Sequence, residues 1–445
     1  MDEGVRRHRE RIAVLGAGRT GLATVRHLAR QGTEVFLSDS GTLPTDVKLE
    51  LDRQGIPWEE GGHSERVLTV DAIVPSPGIP ATAGILQRAH ACGISVVGEL
   101  ELAYRLCPSG RIVAVTGTVG KTTTTHLVSQ LLTHRGHSVV TAGNIGTPFI
   151  EALEAIDEET IVVLEVSSFQ LEHVETFRPH VGVLTRFSPH HLDRHGTPER
   201  YFQAKARLFR NQTDRDTAVV HPEAPALYDL RSQVQLISPH HVDGDWPLHH
   251  RENLSAALIA AQWIDPSVSL GDLDIGPALQ LPHRLEPVAH VGGTRFVNDS
   301  KSTTPTATLA AIRAFPDTSL ALVLSGRSQG EDLQELTDEI AKRPPEVVYL
   351  MGDARPRWMR TLRAIGCRRI RPIATFDQLV RSVRRIQPEV CLFSPGAASF
   401  DQFRSYVDRG EQFKAAVLAG VQTRVTPAGD QAGPTLERRS FRDVR

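Results

Sequence analysis

Residues 111–136 read RIVAVTGTVGKTTTTHLVSQLLTHRG: a short apolar run, a turn with two glycines, and a stretch of helical periodicity. An apolar run of this length ending at a turn predicts a parallel strand buried on both faces, and such a strand needs helices above and below it. The turn is Gly117-Thr118-Val119-Gly120-Lys121-Thr122, with Thr123 continuing the hydroxyl run. A phosphate needs several converging N–H donors, and glycine lets the backbone approach without a Cβ in the way. Lys121 supplies a point charge for the outer phosphates, and Thr122 supplies a hydroxyl for magnesium. Counted from Gly117, the loop is shorter than the common GxxxxGK[ST] pattern. The plainer reading is a glycine-rich turn that binds nothing. Strand, lysine, hydroxyls and helix in one register favour the phosphate.

The same strand, turn and helix pattern occurs on either side. Upstream, residues 11–40 read RIAVLGAGRTGLATVRHLARQGTEVFLSDS, followed by DAIVPSPGIP and ISVVGELELAYRL. Gly16-Ala17-Gly18-Arg19-Thr20-Gly21 follows a predicted strand and opens a helix, and Asp39 ends the next strand. This fits a diphosphate-binding turn, with Asp39 facing a ribose, and it does not separate nicotinamide from UDP-sugar ligands. Ser76 and Gly78, just past another strand, fall on the same carboxyl edge, where open α/β sheets bind ligands. A tight turn without a ligand is the plainer reading. Downstream of LPHRLEPV, a third series contains TRFVNDSKS, SLALVLSGRSQGEDL, VVYLMG and VCLFSPGAASFDQF. The expected architecture is α/β in three domains: a Rossmann-like domain over 1–98, a central P-loop ATPase-like parallel sheet over 99–286, and a second Rossmann-like domain over 287–420. Residues 221–252, rich in Pro and His, read as loops or short strands, and 421–445 as a polar, disordered tail.

Bulk properties narrow the function. With 445 residues, 40% of them hydrophobic and 23% charged, the chain has the composition of a soluble multidomain protein. A formal net charge of −2 gives no electrostatic case for a nucleic-acid or membrane partner. No apolar run approaches the roughly 18 residues needed to span a bilayer, and the charged N-terminus lacks the apolar segment of a signal peptide. The 4 cysteines are scattered, without a CxxC pair, as in a reducing compartment. A cytoplasmic monomer is expected.

Taken together, these motifs resemble the Mur ligase family of bacterial cell-wall synthesis, in the family's order from Gly16 to about Gly420. The resemblance implies an ATP-dependent ligase that activates a carboxylate as an acyl phosphate and couples it to an amino acid. The nearest branch in motif order adds D-glutamate to UDP-N-acetylmuramoyl-L-alanine, with ATP and two magnesium ions. Gly117 to Thr122 then resemble the family's ATP loop, and Asn144, in GNIG, a contact to the muramoyl substrate. Glu165, in LEVSSFQLE, resembles a magnesium-binding glutamate, and His191 the histidine holding a second ion. Lys205 resembles a lysine carbamylated into a further magnesium-linked carboxylate. His283 and Arg284 resemble an ATP-side pair, and Asp299, Ser300, Lys301 and Thr303 contacts near ATP and the amino acid. Ser399 and Tyr406 fall where the family places groups around glutamate, and Arg19, Thr20 and Asp39 where it holds the uridine nucleotide. Lys121, Glu165, His191 and Lys205 are thus the expected catalytic set, with Thr122, Glu165, His191 and Lys205 on the metal.

Without the resemblance, Lys205 is a solvated helix lysine, Ser300 and Lys301 are polar loop residues, and His190, His191 and His195 are surface histidines. Glu165 stands out unaided, although a carboxylate beside capping serines is its plainer reading. The sequence also departs from the family. Val119, His250 and Thr304 replace asparagines, and Arg186 and His190 stand where Asn and Asp are commoner. Gln329 replaces a lysine or arginine facing a substrate carboxylate, and Arg327 is a possible substitute for that charge. A nicotinamide-dependent dehydrogenase, a ligase for another amino acid such as L-glutamate, and a non-catalytic nucleotide-binding paralogue stay open on the sequence alone.

Overall fold

A computed structural model of the chain describes residues 10–224, 230–242, 248–274, 281–328, 332–399 and 401–422. It contains three sheets, and its chain divides into two compact units, Met1–Leu279 and Gln280–Arg445. Gln329 and most of the expected tail fall outside the described residues.

The first unit carries two parallel sheets. In one, the strand order is β3-β2-β1-β4-β5, from β1 (Arg11–Leu15), β2 (Glu34–Ser38), β3 (Trp58–Glu59), β4 (Ala72–Pro75) and β5 (Ser95–Val96). The chain winds outward from β1 on one side and then restarts at β4 on the other. The crevice between the carboxyl ends of β1 and β4 is therefore a topological switch point. In the other sheet the order is β11-β10-β9-β6-β8-β7. Its strands are β6 (Ile112–Thr116), β7 (Val139–Gly143), β8 (Ile161–Glu165), β9 (Val181–Leu184), β10 (Thr217–Val220) and β11 (Gln233–Leu236). All five residues of β6 are buried. Ile112 and Ala114 pack into a core on one face, and Val113 and Val115 into a second core on the other. That split is the period of two, and it explains why the strand reads as an unbroken apolar run.

The segment 221–252 holds more than loops. Beyond β11, a helix runs Leu248–Ile264 and packs on the helix Lys121–His134 that follows the phosphate turn. Its buried residues, among them Leu254, Ala257 and Ala261, join the core behind β6.

The second unit has a sheet ordered β12-β13-β17-β14-β15-β16. Its strands are β12 (Glu286–Val291), β13 (Thr294–Asn298), β14 (Leu320–Leu324), β15 (Val347–Leu350), β16 (Ile370–Pro372) and β17 (Val390–Phe393). Only the β12–β13 pair is antiparallel. Of the four cysteines Cys391 is buried, Cys107 and Cys367 are partly buried, and Cys92 is exposed. Among the described residues no helix is long and apolar enough to cross a membrane.

Candidate active site

The phosphate turn leaves β6 at Gly117, whose φ is +143, and enters the helix at Gly120, whose φ is +93. A Cβ at Gly117 would lie 1.9 Å from Thr185 Oγ1, and one at Gly120 2.3 Å from Asn253 Oδ1. Both positions thus need glycine for backbone conformation and for space. Thr185 stitches the turn from behind, donating to the carbonyls of Val119 at 2.7 Å and Thr116 at 3.1 Å. The Arg186 carbonyl accepts from the Thr118 and Val119 amides, and its guanidinium pairs with Glu252 and Glu223. The Val119 side chain is exposed, while its amide stays in the turn's hydrogen bonding through the Arg186 carbonyl.

Five expected residues come together at this turn. Lys121 Nζ donates to the carbonyls of Gly117 and Thr118, each at 3.0 Å. Thr122 Oγ1 donates to Glu165 Oε2 at 2.7 Å, and Asn144 Nδ2 to Glu165 Oε1 at 2.8 Å. Glu165 ends β8, directly beside β6 in register. Serine capping is also present, since Ser167 and Gln170 form a capping box at the helix Ser168–Leu171. Lys205, far from being solvated, is 1% exposed, and its ammonium donates to the Gly117 carbonyl at 2.7 Å. It also lies 4.5 Å from the Tyr201 ring centre. Burial, reinforced by the charge of Lys121, holds the Lys205 pKa well below the usual lysine value, with Glu165 opposing.

His191 caps the helix Leu192–His195 in the left-handed region, at φ 52 and ψ 39. Its ring packs 4.9 Å from Phe169 and 4.0 Å from His190. The residue as a whole is exposed. Partial burial of its ring, followed by the charge of His190, nonetheless pushes its pKa down, keeping the imidazole neutral at pH 7. Among the described residues no three His, Cys, Asp or Glu side chains are grouped to hold a metal. The oxygens of Thr122 and Glu165 suit magnesium, which keeps several waters and takes its remaining ligands from substrate phosphates.

On the first sheet, Gly16 turns at φ +91 after β1, and Arg19 and Thr20 open the helix Arg19–Arg30. The Asp39 carboxylate accepts from the amides of Ala17 at 2.5 Å and Gly41 at 2.7 Å, so it buttresses the glycine turn. Across the switch point, Ser76 Oγ donates to the Gly16 carbonyl at 3.1 Å. Gly78 belongs to the same loop.

In the second unit, Asp299 follows β13 and is buried, accepting from Ser302 Oγ at 2.5 Å, Ser394 Oγ at 2.7 Å and the Leu285 amide at 3.2 Å. Burial pushes its pKa up to about 6, while those hydrogen bonds and then the charge of Arg284 oppose the rise. His283, at φ 63, is also buried, and its Nδ1 lies 2.9 Å from Asn298 Nδ2. Lys301 Nζ sits 4.0 Å over the Tyr406 ring, and the Tyr406 carbonyl accepts from Ser300 Oγ at 2.8 Å. Thr303 follows in the same turn, its amide donating to the Lys301 carbonyl. Ser399, past β17, is buried. Thr304 caps the helix Pro305–Arg313, accepting from the Ala307 amide. Arg327 lies 3.6 Å from Asp353.

Sequence reasoning missed Thr185, Arg194 and Arg409. Arg409 is fully buried and donates to Ser300 Oγ, the Ser300 carbonyl and the Ala397 carbonyl. It thereby ties the NDSKS turn to the SPGAAS turn.

Three family models match this sequence: the Mur ligase MurD-like N-terminal domain over residues 10–98, the Mur ligase middle domain over 115–243, and the Mur ligase glutamate ligase domain over 283–397. A UDP-N-acetylmuramoylalanine–D-glutamate ligase of Pelotomaculum thermopropionicum is 36% identical, with 92% of this chain and 98% of the relative covered. A ligase of the same name from Koribacter versatilis is 35% identical, with 92% and 97% covered. Among solved structures, the MurF ligase of Thermotoga maritima in complex with ADP superposes with a TM-score of 0.58 at 16% identity, covering 88% of this chain and 96% of that one. MurC of Thermotoga maritima gives 0.56 at 18% identity, covering 93% and 100%. At these identities the structural likeness speaks for the fold.

Proposed function

This chain belongs to the Mur ligase family, and we propose that it is an ATP-dependent ligase that adds D-glutamate to UDP-N-acetylmuramoyl-L-alanine in peptidoglycan precursor synthesis. The observation that carries the reading is the convergence of Lys121, Thr122, Glu165 and Lys205 on one phosphate turn, in a chain aligned along 92% of its length with ligases of that name.

In this reading residues 1–98 hold the uridine nucleotide, 99–286 hold ATP and magnesium, and 287–420 supply the amino-acid side, in the cytoplasm. A carboxylate oxygen of the alanyl substrate attacks the γ-phosphorus of ATP, and ADP leaves. The amino group of glutamate then attacks the acyl phosphate carbon, losing a proton as inorganic phosphate departs. Two anions must meet for the first step, and Lys121 offsets their repulsion as its ammonium turns from the loop carbonyls to the phosphates. Thr122 and Glu165 would hold magnesium, which supplies Lewis-acid stabilisation of the phosphoryl oxygens when bound; a carbamate on Lys205 would add a further carboxylate ligand, and His191 would hold a second ion. Lys205 as an ammonium would repel a cation. Its depressed pKa favours a neutral amine, which adds to CO2 and loses a proton to give a carbamate, and that anion fits.

Phosphate release from ATP is the test, with UDP-N-acetylmuramoyl-L-alanine and D-glutamate, L-glutamate or other amino acids offered separately. Release that requires D-glutamate, with the matching product mass, supports the reading; no release with any amino acid refutes it. A different amino acid remains a second reading, motivated by Gln329 in place of a cation.

A further inference from the structure

Arg194 lies between His191 and His195 and is used by none of the chemistry above. Its guanidinium is 10% exposed and donates in two directions. On one side it reaches the carbonyls of Gly78 at 2.8 Å, Ile79 at 3.0 Å and Pro77 at 3.2 Å, in the loop after β4. On the other it grips both oxygens of Glu172, at 2.6 and 3.2 Å. Its charged plane lies 4.6 Å from the centre of the Phe169 ring. That ring packs on His191 at 4.9 Å and on His195 at 5.6 Å, and His195 Nε2 lies 3.1 Å from Ser168 Oγ. The loop at Pro77–Ile79 is itself anchored to the glycine turn of the first sheet through Ser76. Contacts therefore run without a break from the switch-point crevice of the first sheet to the histidine segment beside the phosphate turn.

We propose that Arg194 is a positioning residue that couples occupancy of the nucleotide-substrate crevice on the first sheet to the arrangement of the ATP site on the second. The proposal rests on the function proposed above. A ligand at Ser76 and Gly78 fixes the loop whose carbonyls Arg194 holds, and the guanidinium in turn sets Phe169 and the His191 segment. Only a planar fork of donors can serve several carbonyls and a bidentate carboxylate together; an ammonium cannot. Such a coupling is reciprocal, so it is measurable from either ligand.

The test compares full-length wild type with Arg194→Lys and Arg194→Met, using ADP affinity by calorimetry with and without UDP-N-acetylmuramoyl-L-alanine, alongside kcat and KM. Wild type should show an ADP affinity that changes by about fivefold or more with the nucleotide substrate. In both variants ADP affinity alone should stay within about twofold of wild type while the substrate-induced change shrinks below about twofold. KM for the nucleotide substrate should rise more than kcat falls. Wild type without coupling, variants with intact coupling, or variants that lose ADP affinity equally in both conditions would each overturn the proposal. If Arg194→Met does not fold, Arg194→Lys and Glu172→Gln report on the same grip. Failure of the function itself reads out separately, as wild type that releases no phosphate with any amino acid.

Discussion

Lys205 Nζ and Lys121 Nζ share one acceptor, the carbonyl of Gly117, at 2.7 and 3.0 Å. Burial and the charge of Lys121 both disfavour a positive charge on Lys205, and Glu165, the neighbouring anion, opposes them. Lys205→Met should therefore melt at the same temperature as wild type or above it, since a buried amine beside a second lysine gives way to an apolar side chain of similar length. Turnover should fall by about 100-fold or more, and short carboxylic acids should partly restore it in Lys205→Ala. A fully active Lys205→Ala enzyme would sink the carbamate.

Glu165 takes one hydrogen bond on each carboxylate oxygen, from Thr122 and Asn144. Glu165→Gln keeps the shape and loses the charge, so the magnesium concentration for half-maximal activity should rise about tenfold or more. Titration of activity against magnesium in both proteins measures this; coincident curves would remove Glu165 from the metal.

Gly117→Ala should destabilise the fold by about 2–4 kcal/mol, because strain at positive φ adds to the clash with Thr185. Adding Thr185→Ala should recover part of that loss, since it relieves the clash and leaves the strain. Urea midpoints of the single and double variants test the split.

Asp299 gives a pH signature. Its pKa is raised from 3.8 to about 6 by burial, so the folded chain favours the protonated form. The corresponding penalty is absent below about pH 4, grows as pH rises towards 6, and saturates above it at roughly 3 kcal/mol. Asp299→Asn does not titrate, so its stability relative to wild type should climb across that window. Parallel stability curves from pH 4 to 7.5 would exclude the effect.

How much the sequence disclosed depended on whether a feature is local. The β6 run, its turn and its helix are contiguous, and an unbroken apolar run followed by two glycines and a lysine carries both fold and site. Thr185 reaches Val119 across 66 positions and Arg409 reaches Ser300 across 109, so nothing near either residue announces its role. Lys205 looked solvated because it sits in a helix of ordinary polarity; only tertiary packing buries it. The helix Leu248–Ile264 was obscured because its first turn is His-rich and follows a Pro-rich stretch, which hides the periodicity that begins at Leu254.

The left-handed backbone at His191 has a consequence for directed evolution. A non-glycine residue there costs on the order of 1 kcal/mol. A library of variants sorted for heat tolerance alone should therefore enrich glycine at codon 191, whereas the same library sorted for turnover should deplete it. The divergence between the two sorts would mark the position as one where selection for catalysis holds the chain below its attainable thermal limit.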